Sequence, residues 1–250
     1  SRTGGTLGNP TYLAGYLLPF LFAVGALLIG RIRQLNGKTA MFMFAGIAIL
    51  AGFMVANTRG AIIGLLVGLA YLVGTHLVSR FKEGRLSKKW LIAVIASVLL
   101  FGGIFVSTRQ AALWQYLPPL DRLARISLTD ISTVNRLTSW QVALRGFAKH
   151  PIFGVGYENY AFLADRDYNP TQLRGGMGET FFDKPHNAVL EIAATTGIVG
   201  LLAYGWLVVM MWRFIGRLQD IRTRRVARAA LIGYLVQNLF LFDTFGTLLV

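Results

Sequence analysis

Long apolar runs separated by short polar connections dominate this chain. The apolar runs approach the roughly 20 residues that an α-helix needs to cross the hydrocarbon core of a bilayer. They cover residues 12–30, 40–56, 61–78, 90–106, 188–212 and 229–250. The pattern therefore predicts an all-α fold, a polytopic transmembrane helical bundle in one membrane domain.

The basic residues between the runs predict how the bundle is oriented. Lys and Arg crowd into the connections at residues 31–38, 80–89 and 213–228, and such short basic connections are typical of the cytoplasmic side. The connection at residues 57–60 and the long segment 108–186 then face outward. We predict that residues 108–186 form an extracytoplasmic loop subdomain.

The predicted loop is partly helical. Inside it, apolar side chains recur at helical spacing before Pro151 ends the pattern; they are Val134, Leu137, Trp140, Leu144 and Phe147. This spacing predicts an amphipathic helix, which either lies on the bilayer surface or packs on the membrane domain.

The composition supports a membrane protein. Of 250 residues, 54% are hydrophobic and 14% are charged, and the formal net charge is +14. On a soluble protein this charge would indicate nucleic acid, but here topology accounts for it, so we expect no nucleic-acid partner. The chain has no cysteine and stops inside an apolar run, so we interpret it as a disulfide-free fragment of a longer membrane protein.

His186 is the strongest candidate for chemistry. It stands at the end of the loop, before Asn187 and the next apolar run, so we expect it at a helix N-terminus. A neutral imidazole there can accept a proton from a hydroxyl. Asn187 is the candidate helix cap. The alternative is that His186 itself is only a capping or interface residue.

Arginines are the candidates for anion binding, because a guanidinium keeps its charge and donates paired hydrogen bonds to phosphate. Arg59 lies at the outer membrane boundary, and Arg136 opens the amphipathic helix. The alternative roles are snorkelling for Arg59 and a solvated surface charge for Arg136. Spacing alone does not rank the other loop arginines, Arg109, Arg122, Arg125 and Arg145.

Two acidic residues lie within apolar runs, where a charged side chain is energetically costly and indicates a functional or pairing role. Glu191 follows Asn187 by one turn, and Asp243 falls at the same depth on the last predicted helix. Glu191 is predicted to orient His186 or to pair with an arginine; a buried contact between helices is the alternative for both acids. Without cysteine or paired histidines, we expect neither a metal nor another cofactor.

Several motifs together resemble the O-antigen ligase and polymerase family. They are Gly5 to Pro10 before a spanning helix, Asn57 to Gly60 between two more, AKHPIFGVGYENYAF and KPHNAVLEIAATTGIVGLLAYG. The resemblance implies a glycosyltransferase of the bacterial inner membrane that moves a glycan from undecaprenyl diphosphate to an acceptor hydroxyl on a lipid or glycan. It assigns an essential histidine to His186 and diphosphate-binding arginines to Arg59 and to Arg136 in NRLTSW.

With these assignments we expect metal-independent transfer with inversion, and Trp140, on the same helix as Arg136, is a further supporting candidate. Repeat-unit polymerase and protein O-glycosylating enzyme are alternatives within the family, since they differ from a ligase only in acceptor. A solute transporter and a membrane scaffold are the alternatives of another class. The clustering of ionisable groups toward the outer face and the absence of an internal repeat disfavour transport.

Overall fold

The computed structural model describes residues 8–29, 31, 34, 36–116, 118–127, 129–168 and 183–241. The chain divides into two compact units, residues 1–126 with 218–234 and residues 127–217 with 235–249. In chain order the described helices are α1 (Pro10–Ile29), α2 (Gly37–Ala56), α3 (Arg59–Lys82), α4 (Lys88–Ser107), a short 3₁₀ helix (Ala112–Tyr116), α5 (Pro118–Ala124), α6 (Ile131–Lys149), α7 (Tyr160–Arg166), α8 (Ala188–Gly216) and α9 (Ile221–Asn238).

The prediction of an all-α polytopic membrane bundle is confirmed. Among the described residues, five helices are long and apolar enough to cross a membrane, namely α1, α2, α3, α4 and α8. Their bounds lie within a few residues of the predicted runs. Polar caps explain the small differences: the Asn36 side chain accepts a hydrogen bond from the Thr39 backbone at 3.0 Å, so α2 begins at Gly37 rather than at residue 40.

The core of the first unit lies where α1, α2, α3 and α9 meet. Its buried apolar side chains are Ala14, Leu18, Phe22, Phe53, Ala56, Ala61, Ile62 and Ala229. Small residues let the helices approach closely, as is usual where apolar surface alone does not drive association in lipid. Gly68 of α3 lies against the Phe22 ring and the Ala229 carbonyl oxygen, and Gly233 of α9 lies against the Gly64 carbonyl.

Helix α9 differs from the predicted run at residues 229–250. It begins at Ile221, because the Asp220 carboxylate accepts hydrogen bonds from the backbone N–H and the hydroxyl of Thr223, at 2.9 and 2.6 Å. These bonds hold the pKa of Asp220 below its usual range. The arginines assigned to a connection, such as Arg225, therefore lie on a helix, and α9 ends at Asn238. Residues 242–250 lie outside the described part.

The second unit is built around the packing of α6 and α7 on α8. Its buried apolar side chains are Val142, Ala143, Tyr160, Leu163, Ala164 and Ala194. The Tyr160 hydroxyl donates a buried hydrogen bond to the Ser139 carbonyl at 2.8 Å. Burial raises the pKa of Tyr160 above its ordinary value, so this hydroxyl stays a donor.

The buried face of α6 is not the predicted apolar stripe. Within the stripe, Leu137 and Leu144 are 40% and 53% exposed. Small and polar residues form the buried face instead; they are Asn135, Thr138, Ser139, Val142, Ala143 and Gly146. A side chain at Gly146 would collide with Leu163 of α7. The small face of α6 is therefore the buried one, because small residues allow α6 and α7 to approach closely.

Gly68 provides a test of the close packing in the first unit. We expect Gly68→Ala to lower the free energy of unfolding by about 1–3 kcal/mol, because its methyl group would collide with the Phe22 ring. Gly74→Ala is the matched control in the same helix, since nothing lies within 4 Å of its added carbon. The control should be neutral or stabilising by up to about 1 kcal/mol. Thermal unfolding in detergent micelles measures both, and equal effects would contradict the packing.

Candidate functional site

His186 is held in a constrained backbone conformation directly before α8. Its φ angle is +53°, in the left-handed region that few residues other than glycine adopt. Pro185 on one side is buried. On the other side, the Asn187 side chain caps α8 by accepting a hydrogen bond from the Leu190 backbone at 3.1 Å. The imidazole is therefore presented from a fixed turn at the N-terminus of a long helix.

Lys184 anchors the chain just before this turn. Its ammonium donates hydrogen bonds to Glu191 at 2.9 Å and to Glu158 at 3.0 Å. Burial by itself would lower the pKa of Lys184, but the hydrogen bonds and charges of Glu191 and Glu158 outweigh it, so the pKa lies above its ordinary value. Lys184 is thus one partner of Glu191, and the predicted role of Glu191 in orienting His186 or pairing with an arginine stays a prediction.

Helix α8 is interrupted at Gly197, which has φ 67° and ψ −160°. In a continuous helix the N–H groups of Ile198 and Val199 would bond to the carbonyls of Ala194 and Thr195. Here Ile198 donates to Pro151 at 2.8 Å, and Val199 donates to Ile152 at 3.3 Å. Both donors are therefore satisfied outside the helix.

The carbonyl groups released by the break are satisfied by the same segment. Val155 N–H donates to Ala194 at 3.0 Å, and Gly156 N–H donates to Thr195 at 2.9 Å. Residues 151–156, called the inserted turn from here on, thus complete the broken helix with four backbone hydrogen bonds. Two glycines allow this approach, because a side chain at Gly154 would collide with the Thr195 backbone and one at Gly197 with Ile152.

Arg136 and Trp140 lie on α6 and are both half-buried. They belong to the same compact unit as His186, and α6 packs on α8. The buried indole nitrogen of Trp140 has no hydrogen-bond partner among the described residues. These two residues, together with His186, Asn187 and Glu191, are the predicted site residues that one unit brings together.

Arg59 belongs to the first unit, where it lies in the first turn of α3. Its guanidinium donates from Nε to the Arg122 carbonyl at 3.1 Å and from Nη2 to the Arg125 carbonyl at 3.3 Å. In return, the Arg122 Nε donates to the Asn57 carbonyl at 3.2 Å. Arg59 thereby caps the C-terminal end of α5 as well as carrying charge.

Several arginines lie near Arg59. Arg109 donates to the Ile126 carbonyl at 3.4 Å, and Arg125 pairs with Asp121 at 2.7 Å. Spacing in the sequence does not rank Arg109, Arg122 and Arg125, whereas the fold brings all of them to the ends of α3 and α5. Asp243, the remaining predicted site residue, lies outside the described residues.

Comparison with known proteins identifies the family of this chain. A family model described as O-Antigen ligase matches residues 44–205, which is more than half of the chain. The chain belongs to the O-antigen ligase family. The matched residues of this O-antigen ligase family member run from α2 into α8 and include Arg59, Arg136 and His186.

Relatives of this family member occur in Rickettsia. A Rickettsia conorii protein named "Putative polysaccharide ligase" is 22% identical over 208 residues, which cover 83% of this chain and 47% of the relative. A Rickettsia typhi protein with the same descriptive name is 21% identical over 212 residues, covering 85% of this chain and 49% of the relative. The chain thus spans about half the length of the curated relatives it matches.

Sequence patterns gave no reason to single out Lys184 and Glu158 in this family member. Both look like ordinary loop charges, 26 residues apart along the chain. The one available signal was the position of Lys184 seven residues before Glu191, since an acid in the first turn of a helix can reach back to a preceding cation. The contact with Glu158 depends on the inserted turn and has no local signal.

The two acids that bind Lys184 should differ in their effect on stability. Glu191 is 13% exposed and Glu158 is 53% exposed, whereas Lys184 is 15% exposed. We expect Glu191→Gln to lower the free energy of unfolding by about 3 kcal/mol, because it leaves a shielded cation poorly compensated. Glu158→Gln, the matched control, should cost below about 1 kcal/mol. Unfolding in detergent micelles measures both, and equal losses would contradict the arrangement.

The raised pKa of Lys184 also sets a pH dependence. A cation whose pKa is raised by folding contributes its full stabilisation below the ordinary pKa of lysine, about 10.4, and loses it only as the pH rises through the higher folded value. We therefore expect the stability difference between the parent and Lys184→Met to stay constant from about pH 7 to pH 9. A difference that shrinks across this range in unfolding experiments would show that folding lowers the pKa of Lys184 rather than raising it.

Proposed function

We propose that the protein containing this chain transfers a glycan from an undecaprenyl diphosphate carrier to an acceptor hydroxyl at the extracytoplasmic face of the bacterial inner membrane. Family membership supports a ligase acting on a lipid-linked polysaccharide, and similar Rickettsia proteins are named as polysaccharide ligases. The observation that carries the proposal is His186, fixed in a left-handed turn before the capped N-terminus of α8.

In this proposal His186 is the general base. The acceptor oxygen attacks the anomeric carbon of the glycan, its proton passes to the imidazole, and the bond from that carbon to the diphosphate oxygen breaks. A single displacement of this kind inverts the anomeric centre. The partial positive charge of the α8 N-terminus favours the neutral imidazole, which is the form able to accept a proton. Asn187 fixes the helix cap, and Lys184 with Glu191 holds the preceding chain.

Arg59 and Arg136 are proposed to bind the diphosphate as negative charge develops on it. Arginine suits this role because its fork of donors matches phosphate oxygens. The reciprocal bonds between Arg59 and α5 hold its guanidinium in one orientation, and such preorganisation is what electrostatic stabilisation requires. Under this proposal the arginines supply the positive charge, so no metal is invoked. Trp140 supports Arg136 on α6, and Asp243 remains a prediction from the sequence.

The acceptor separates three versions of the proposal. A lipid acceptor makes the protein an O-antigen ligase, a growing glycan makes it a repeat-unit polymerase, and a protein side chain makes it an O-glycosylating enzyme. Nothing in the geometry of His186 depends on which hydroxyl attacks. The ligase is favoured because it is the activity that the matched family description names.

A solute transporter is the second candidate, because a helix broken at Gly197 is a feature of many transporter sites. In such sites the freed backbone groups face the solute. Here the inserted turn takes up both freed N–H groups and both freed carbonyls. The break is therefore closed to a ligand, which favours the transferase.

Replacing His186 tests the proposed base. We expect His186→Ala in the full-length protein to lower the transfer rate by about 10²-fold or more, because general base catalysis contributes about that factor. The assay follows glycan transfer from purified undecaprenyl diphosphate glycan to lipid, glycan and protein acceptors in reconstituted vesicles. His150→Ala is the matched control, since His150 is exposed at the end of α6. Undiminished transfer by His186→Ala would remove the assignment.

Replacing Arg59 tests the proposed diphosphate contact. We expect Arg59→Ala to lower kcat/KM for the donor by about 10²-fold, since one lost charge contact to a transition state costs roughly 3 kcal/mol. Arg59→Lys keeps the charge and should recover part of the loss. Arg145→Ala, an exposed arginine on α6, is the matched control. If Arg59→Ala loses thermal stability but keeps its kcat/KM, its role is only to cap α5.

A further inference from the structure

The inserted turn exposes apolar side chains next to a spanning helix. Ile152 is 56% exposed and Phe153 is 73% exposed. Ile198 and Val199 of α8, which are 42% and 48% exposed, donate backbone hydrogen bonds to Pro151 and Ile152 of the turn. The exposed apolar surface of α8 thus continues sideways onto the turn.

The depth of the break follows from the length of α8 beyond it. From Gly197 to Trp212, the last residue before Arg213, the helix rises by about 22 Å at about 1.5 Å per residue. The hydrocarbon core is about 30 Å thick, and any tilt of the helix shortens its reach. If α8 crosses the membrane, Gly197 therefore lies inside the hydrocarbon region. The inserted turn, bonded to residues on both sides of Gly197, lies there too.

The chemistry of the turn suits this depth. Irregular backbone is tolerated in hydrocarbon only where its polar groups are satisfied. The four bonds to α8 achieve this, and the Gly154 N–H donates to the His150 carbonyl at 3.0 Å. No charged residue occurs from Pro151 to Tyr157; the nearest charges are Lys149 and Glu158.

We propose that the inserted turn is embedded in the membrane and that Ile152 and Phe153 contact lipid acyl chains close to the headgroup boundary. The occupant of this exposed surface is lipid, because the surface adjoins the exposed apolar residues of α8, a helix long and apolar enough to cross a membrane. The contact fixes the depth of the inserted turn in the bilayer. It concerns membrane contact alone and holds whether or not the proposed transfer reaction is correct.

This chain has no cysteine, so an introduced cysteine is the one labelling site within it, and any cysteine elsewhere in the full-length protein is first replaced by serine. Phe153→Cys carries a nitroxide label in the full-length protein, reconstituted in vesicles of phosphatidylethanolamine and phosphatidylglycerol. Power saturation then compares the access of the label to oxygen, which enters lipid, and to a water-soluble nickel complex. Leu202→Cys is the lipid reference, since Leu202 is 67% exposed on α8. Asp165→Cys on α7 is the aqueous reference.

We expect the Phe153 label to favour oxygen over the nickel complex several-fold, as the Leu202 label does, and the Asp165 label to show the reverse. Ile152→Cys repeats the measurement in case the first variant does not fold. Nickel access at residues 152 and 153 equal to that at Asp165 would overturn the proposal. Nickel access at Leu202 would overturn it as well, because the depth of the turn depends on the span of α8.

Discussion

The exchange of backbone hydrogen bonds at Gly197 is the constraint on which the packing of the second unit depends. A break in an apolar helix leaves two donors and two acceptors without partners, and each such group costs several kcal/mol in hydrocarbon. The inserted turn supplies all of the missing partners. Since the turn directly follows α6 and leads into α7, the same four bonds determine where both helices meet α8. Two glycines, Gly154 and Gly197, make this arrangement sterically possible.

Charged side chains near the ends of the helices form ion pairs and hydrogen bonds with specific partners. Lys184 is shielded from water but has two carboxylate partners, so its charge stabilises the turn before His186 rather than opposing folding. Arg59 and Arg122 bond to backbone carbonyls around the α2–α3 turn and α5. These bonds hold both guanidinium groups against the backbone of the first unit.

Helices were predictable where burial in lipid dominates, and less so where helices pack on one another. The five spans in the described residues coincide with apolar runs because hydrocarbon selects for apolar length alone. The start of α9 was missed because a row of arginines suggests a connection, whereas a local cap at Asp220 begins the helix there. On α6 the apolar stripe was recognised, but the close approach of Gly146 to Leu163 of α7 required the opposite, small-residue face.

The sequence by itself determined that this is a helical membrane protein and that His186 stands at the start of a helix, whereas anion binding by its arginines stays a prediction. These conclusions depend on local composition and spacing, which a single chain displays directly. Only the tertiary structure decided that Glu191 pairs with Lys184, that Arg59 caps α5, and that a glycine turn completes a broken helix. These contacts join residues far apart in sequence, and close packing, which spacing along the chain does not encode, selects them.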